Sequence, residues 1–147
     1  MADDSVLLRL SWEEFRKKTQ QLAEKLRGRL PVRGIIAVTR GGLVPAAVLA
    51  TSLDIRTIDT IGVVSYDGHE RDDKVRIVKD IDHDGEGWLV VDDLSDSGRT
   101  LRVLRGILPK AHFATVYVKP AGRDAVDTWF EEVPQSTWII FPWEEDA

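Results

Sequence analysis

The chain has 147 residues, 20 Lys plus Arg against 25 Asp plus Glu for a formal net charge of -5, 43% hydrophobic residues and no cysteine. That length suits one domain with a buried core, and the composition excludes disulfides, thiolate metal sites, iron–sulfur clusters and a cysteine nucleophile. The acidic balance argues against a general affinity for nucleic-acid backbones. The acidic start Met1-Ala2-Asp3-Asp4-Ser5 and the lack of an apolar run near the ~18 residues of a membrane span predict a soluble, cytoplasmic protein.

Ser11 followed by Glu14 forms a capping box, so a helix is expected from there, with Phe15, Thr19, Leu22 and Leu26 on one face and an end near Gly28 to Pro31. Gly34 to Thr39 is an apolar run of the kind covered on both faces of a parallel sheet. Arg40-Gly41-Gly42 breaks it, and Pro45 with Ala46 to Leu53 predicts a helix. Ile58 to Ser65 reads as a second strand, Tyr66 to Lys74 as a mobile charged loop, and Val75 to Val78 as half of an exposed hairpin. After Gly85-Glu86-Gly87, Trp88 to Val91 is a buried strand expected to end at Asp92-Asp93, with Ser95 to Thr100 a turn. Leu101, Leu104 and Leu108 mark a helix stopped by Pro109, and Phe113 to Val118 is a strand ending at Lys119-Pro120. The last 27 residues, with Trp129, Pro134, Trp138, Pro142 and Trp143, predict short strands and turns rather than another helix. The alternation predicts a single domain over residues 1–147: an α/β fold with an open, mainly parallel twisted sheet flanked by helices, binding ligands at the carboxyl ends of strands.

Chemistry concentrates at Asp92-Asp93-Leu94-Ser95-Asp96-Ser97-Gly98-Arg99-Thr100. Three carboxylates in five residues at a strand-to-helix junction repel one another and raise each other's pKa unless a metal ion or a polyol engages them. From Asp96 to Thr100, backbone N–H groups at a helix start, with the Ser97 and Thr100 hydroxyls, can cradle an anion. Carboxylates beside such a cradle suit a ribose phosphate.

This stretch resembles the phosphoribosyl-pyrophosphate signature of the type I phosphoribosyltransferases, with Ser97 where Thr is usual and Arg99 where Gly is common. Over nearly the whole chain the resemblance is closer to the bacterial xanthine-guanine phosphoribosyltransferases. It is carried by Gly34 to Pro45, Ser65-Tyr66-Asp67, Gly85-Glu86-Gly87, Ala111-His112-Phe113, Lys119 to Arg123, Pro134 to Ile139 and Pro142-Trp143. The family's fold adds a small C-terminal hood.

The resemblance implies a Mg²⁺-dependent purine salvage enzyme joining a 6-oxopurine to phosphoribosyl pyrophosphate. It implies ribose contacts from Asp92 and Asp93, with Mg²⁺ held chiefly at Asp93, and Asp96 as the catalytic base at the purine N7. Phosphoribosyl pyrophosphate would be gripped by Leu94, Ser95, Asp96, Ser97, Gly98, Arg99 and Thr100, by Arg40 and Gly41 beside a non-proline cis peptide, and by Arg71 and Lys74 from the closing loop. Lys119 would donate to the 6-oxo group, Trp138 would stack on the base, and Ile139 would offer its carbonyl toward the 2-substituent. Trp129 and Trp143 read as core or interface. A homodimer or homotetramer and peripheral inner-membrane association are further family expectations. Two alternatives stay open: a nucleotide-sensing regulator of this fold that binds nucleic acid, and a phosphoribosyltransferase for another base.

Overall fold

The computed structural model of the chain describes residues 6–29, 32–65 and 74–144. The first helix, α1 (Trp12–Leu26), begins at the expected capping box: Glu14 N–H donates to Ser11 Oγ and Ser11 N–H to the Glu14 carboxylate, each at 3.1 Å. Such caps contribute about 1 kcal/mol. Phe15, Thr19, Leu22 and Leu26 are buried on its inner face, as the spacing requires.

Ahead of it lies β1 (Val6–Arg9), and after it β2 (Gly34–Thr39), α2 (Leu43–Leu53), β3 (Ile58–Ser65) and β4 (Val75–Lys79). Then come β5 (Trp88–Ser95), α3 (Arg99–Ile107), β6 (His112–Val118), a short 3-10 helix (Pro120–Ala125), β7 (Thr128–Glu132) and β8 (Thr137–Ile140). A six-stranded sheet runs β4-β3-β2-β5-β6-β7, parallel throughout except for the antiparallel β3/β4 pair. Strands β2 and β5 read as unbroken apolar runs because both faces are covered. Ile35, Ala37, Leu89 and Val91 pack on the side of α1 and α2, and Ile36, Val38, Val90 and Phe113 on the side of Leu101, Leu104 and Leu108.

The chain leaves β2 toward β3 on one side and later returns to place β5 on the other. The topological switch point therefore lies between β2 and β5, where this class of sheet opens a crevice at its carboxyl edge.

Three expectations are corrected. Strand β5 does not stop at Asp92-Asp93 but runs to Ser95, because Asp92, Leu94 and Ser95 continue in register with Thr115, Tyr117 and Val118 of β6. Backbone pairing decides a strand's length, and acidic side chains are accommodated where they project at the sheet's open edge. The turn is correspondingly shorter, since Arg99 already begins α3. The C-terminal part holds one helical piece, the 3-10 turn started by Pro120. The hood is also not C-terminal alone: β8 pairs in parallel with β1, Leu7 opposite Trp138 and Leu8 opposite Ile139.

Candidate active site

At the switch point, β2 delivers Thr39-Arg40-Gly41-Gly42 and β5 delivers Asp92 to Gly98. The Thr39–Arg40 peptide is cis, as the resemblance implied. A Cβ on Gly41 would lie 2.7 Å from an Asp93 carboxylate oxygen, and one on Gly42 only 2.2 Å from the Val91 carbonyl. Both glycines are therefore required for the turn to close over β5. Exposed Arg40, with Gly41, lines a cleft of about 980 Å³ shared with Thr39, Ser65, Trp143 and Glu144.

Asp92 and Asp93 are half-buried at the floor of this region. Burial pushes the Asp92 carboxyl well above its ordinary value, reinforced by the neighbouring Asp93 charge. Burial likewise raises Asp93, to about 6, against hydrogen bonds from Asp92 and the Leu94 N–H; the Glu144 charge adds to the rise. Among the described residues neither has an ion-pair partner. Two part-buried carboxylates held together without a cation form a hard-oxygen donor set that fits a divalent ion such as Mg²⁺.

The following loop encloses a hollow at the start of α3, where the sequence predicts an anion cradle. Gly98 has φ +86°, and the hollow formed by Asp92 and Leu94 to Leu101 measures about 120 Å³. The Thr100 hydroxyl lies 3.1 Å from that of Ser65 at the end of β3, and Ser97 Oγ accepts from Arg99 N–H at 3.3 Å. Arg99 is half-exposed at the first position of α3. The side chains of Leu94 and Ser95 turn elsewhere: Leu94 packs against the core, and buried Ser95 donates its hydroxyl to the Gly122 carbonyl at 2.8 Å. These two residues offer the cradle backbone only.

Beside the cradle, Lys119 at the end of β6 is 4% exposed, so it is no ordinary surface lysine. Its Nζ donates to Asp96 Oδ2 at 3.2 Å. Gln135, in the turn before β8, donates to Asp96 Oδ1 at 2.9 Å while its Oε1 accepts from Ala121 N–H at 2.8 Å. Asp96 is thus gripped through both carboxylate oxygens. Trp138, three residues beyond Gln135 on β8, is 66% exposed, a large aromatic face left bare. The Ile139 side chain is buried; because Ile140 uses its carbonyl on Leu10 N–H (3.0 Å), the Ile139 carbonyl points to the opposite edge of β8. Trp143 stacks on Phe141 at 4.9 Å, and Trp129 is half-buried against the α3 side of the sheet, both serving packing.

The fold joins Asp96 to Lys119, sets Gly41 against Asp93, and gathers Asp92 and Leu94 to Thr100 around one hollow. Arg71 lies outside the described residues, as do 66–73 of the expected loop, and Lys74 is exposed just ahead of β4. Sequence reasoning passed over Gln135 and Ser65. Both sit inside segments that carry the resemblance, but an amide in a turn and a hydroxyl at a strand end have no local signature of their role.

A crevice at the switch point thus gathers an acid pair, a loop at a helix start and a buried lysine. The profile of the phosphoribosyl transferase domain matches residues 10–147, and the chain belongs to that family. Within it the chain falls with the xanthine-guanine phosphoribosyltransferases. It is 51% identical to the one from Desulfotalea psychrophila over 94% of this chain and 86% of the relative. It is 49% identical to that of Nitratidesulfovibrio vulgaris Hildenborough over 94% and 85%. Among solved structures, a purine phosphoribosyltransferase from Pyrococcus horikoshii superposes with a TM-score of 0.79 at 33% identity, covering 96% of both chains.

Proposed function

We propose that this protein is a cytoplasmic purine salvage enzyme that transfers the 5-phosphoribosyl group from phosphoribosyl pyrophosphate to N9 of guanine or xanthine, and of hypoxanthine. The observation that carries this reading is the buried Lys119 ammonium held against Asp96 beside the cradle.

In this reaction the bond from ribose C1 to the pyrophosphate oxygen breaks, the bond from C1 to purine N9 forms, and the purine loses a proton. Asp96 takes that proton at N7, and the Lys119 and Gln135 contacts fix its carboxylate beside the base. An ammonium has three donors. One rests on Asp96, which leaves others for the 6-oxo oxygen of the purine. Adenine presents an amine there, so donor would face donor and a buried polar group would go unpaired, which discriminates strongly. Trp138 stacks on the ring, and the Ile139 carbonyl meets the 2-substituent.

The Ser97 to Thr100 amides and hydroxyls hold the 5′-phosphate. Arg40 and the Gly41 turn hold the departing pyrophosphate, aided by Arg71 and Lys74 of the loop between β3 and β4. Asp92 and Asp93 take the ribose hydroxyls and, chiefly through Asp93, a Mg²⁺ ion that would neutralise charge developing on the leaving group. Half-exposed apolar residues on β1, α1 and α2, among them Leu7, Trp12 and Leu43, support a homodimer or homotetramer.

The test is nucleotide and pyrophosphate formation from phosphoribosyl pyrophosphate with guanine, xanthine, hypoxanthine, adenine and orotate in turn, each with Mg²⁺ and with chelator. Metal-dependent product from the 6-oxopurines alone is expected. Product from adenine or orotate, or none from folded protein, would overturn the reading.

A further inference from the structure

Arg102, in the first turn of α3, reaches both the loop before the helix and the turn beyond β6. Its Nη1 donates to the Ser97 carbonyl at 2.9 Å. Its Nη2 donates to the Ala121 carbonyl at 2.9 Å and to Asp124 Oδ1 at 2.5 Å. A Cβ on Gly98 would sit 2.9 Å from Cζ, Nη1 and Nη2 alike, so the guanidinium plane lies flat against that glycine. Gly98 is therefore bare for two reasons, its positive φ and the guanidinium resting on it.

These contacts act on the cradle through the geometry of one peptide. The carbonyl and N–H of a trans peptide point in opposite directions. Holding the Ser97 carbonyl on Arg102 therefore aims the Gly98 N–H away from the guanidinium, and Gly98 lines the hollow of Asp92 and Leu94 to Leu101, which Arg102 does not line. Released from Arg102, the same peptide could turn its carbonyl inward and present a negative dipole to an incoming phosphate.

The other end of the guanidinium reaches the purine side. The Ala121 peptide lies just beyond Lys119; its carbonyl accepts from Arg102 and its N–H donates to Gln135, which in turn holds Asp96. Ser95 is tied to the neighbouring Gly122. Three consecutive residues, Ser95, Asp96 and Ser97, are thus each anchored to the turn at 121–122, by their own hydroxyl, by Gln135 and by Arg102.

We propose that Arg102 is a positioning residue that sets the Gly98 amide toward the substrate's 5′-phosphate and locks the phosphate cradle to the turn behind the purine pocket. It acts through the loop and touches no substrate. The inference rests on the reading of residues 97–100 as the phosphate cradle.

The experiment compares wild type with Arg102→Met, which keeps the stem but no donors, Arg102→Lys, which keeps the charge but not the fork, and Asp124→Asn, which frees the guanidinium. KM for phosphoribosyl pyrophosphate and the Kd of GMP should rise about tenfold in Arg102→Met and nearly as much in Arg102→Lys, with kcat lowered less and the melting temperature little changed. Asp124→Asn should show a smaller rise. Full recovery by Arg102→Lys would reduce the effect to long-range charge and overturn the proposal, as would an unchanged KM in Arg102→Met. The backbone amide resonance of Gly98, followed as GMP is added to wild type, separates the two levels. A large shift there with an unaltered Arg102→Met enzyme defeats the Arg102 inference alone, whereas no shift in wild type defeats the cradle reading beneath it.

Discussion

On the proposed reading the 5′-phosphate is held by one stretch of chain, Ser97 to Thr100 at the end of the Asp92 to Thr100 segment, whereas the base half takes Lys119 from the end of β6, Gln135 from a turn and Trp138 from β8. The first works mainly through backbone, a left-handed glycine and amides at a helix start, with two neighbouring acids at the end of β5 ahead of them. The second works through side chains whose only common property is where the fold leaves them. An anion can be held by any loop that aims its amides correctly, so local sequence suffices. Recognising a base edge requires single donors and acceptors at fixed positions, and rigid elements of different origin supply those.

The sharpest way to break this comparison is Asp96, which belongs to both halves. Asp96→Asn keeps the loop's backbone but removes the base, and is expected to lower kcat about a hundredfold with little change in the KM for phosphoribosyl pyrophosphate. A parallel rise in that KM would show that Asp96 serves the cradle instead. Next, Lys119→Ala should lower kcat/KM for guanine about fiftyfold and flatten the preference for 6-oxopurines over adenine, measured across the base panel. Retention of the parent's preference would move specificity elsewhere.

Gln135→Leu leaves both substrates' direct contacts in place but frees Asp96 and the Ala121 N–H. A loss of about five- to tenfold in kcat, with the KM for phosphoribosyl pyrophosphate unchanged, would place Gln135 with the base half. The smallest effect is on stability. The folded Asp93 carboxyl titrates near 6, whereas an unfolded one titrates near 3.9, so the folded state keeps its proton longer and ligand-free stability falls as pH rises from about 4 to 6. Asp93→Asn should therefore stabilise the ligand-free protein by about 1–2 kcal/mol at pH 7 and hardly at all at pH 4, while activity is lost. Equal shifts in melting temperature at both pH values would remove the buried charge as the cause.

Most of the sheet and its helices were legible because their signals are local. The capping box at Ser11, the two-sided apolar runs of β2 and β5, and the leucine spacing of α3 each state a period and a boundary within a few residues. The end of β5 was misread because its last residues are chosen for chemistry rather than burial; pairing with Tyr117 and Val118, which the local sequence does not display, carries the strand through the acids. Strand β1 went unseen for a related reason. Its partner β8 lies more than a hundred residues away, and four residues have no strand identity until that partner is beside them.

By itself, the sequence determined the order of elements from α1 to β6, the turn glycines at 41 and 42, the acid pair and the loop that follows it, because steric limits on backbone and helix-start amides act between neighbours. Only the tertiary structure decided that Lys119 is buried rather than solvated, that Gln135 and Lys119 hold Asp96 from both oxygens, and that Arg102 joins Ser97 to Ala121. The physical reason is that hydrogen-bond partners and desolvation are properties of position in space, and distant segments share such a position only after the sheet has formed.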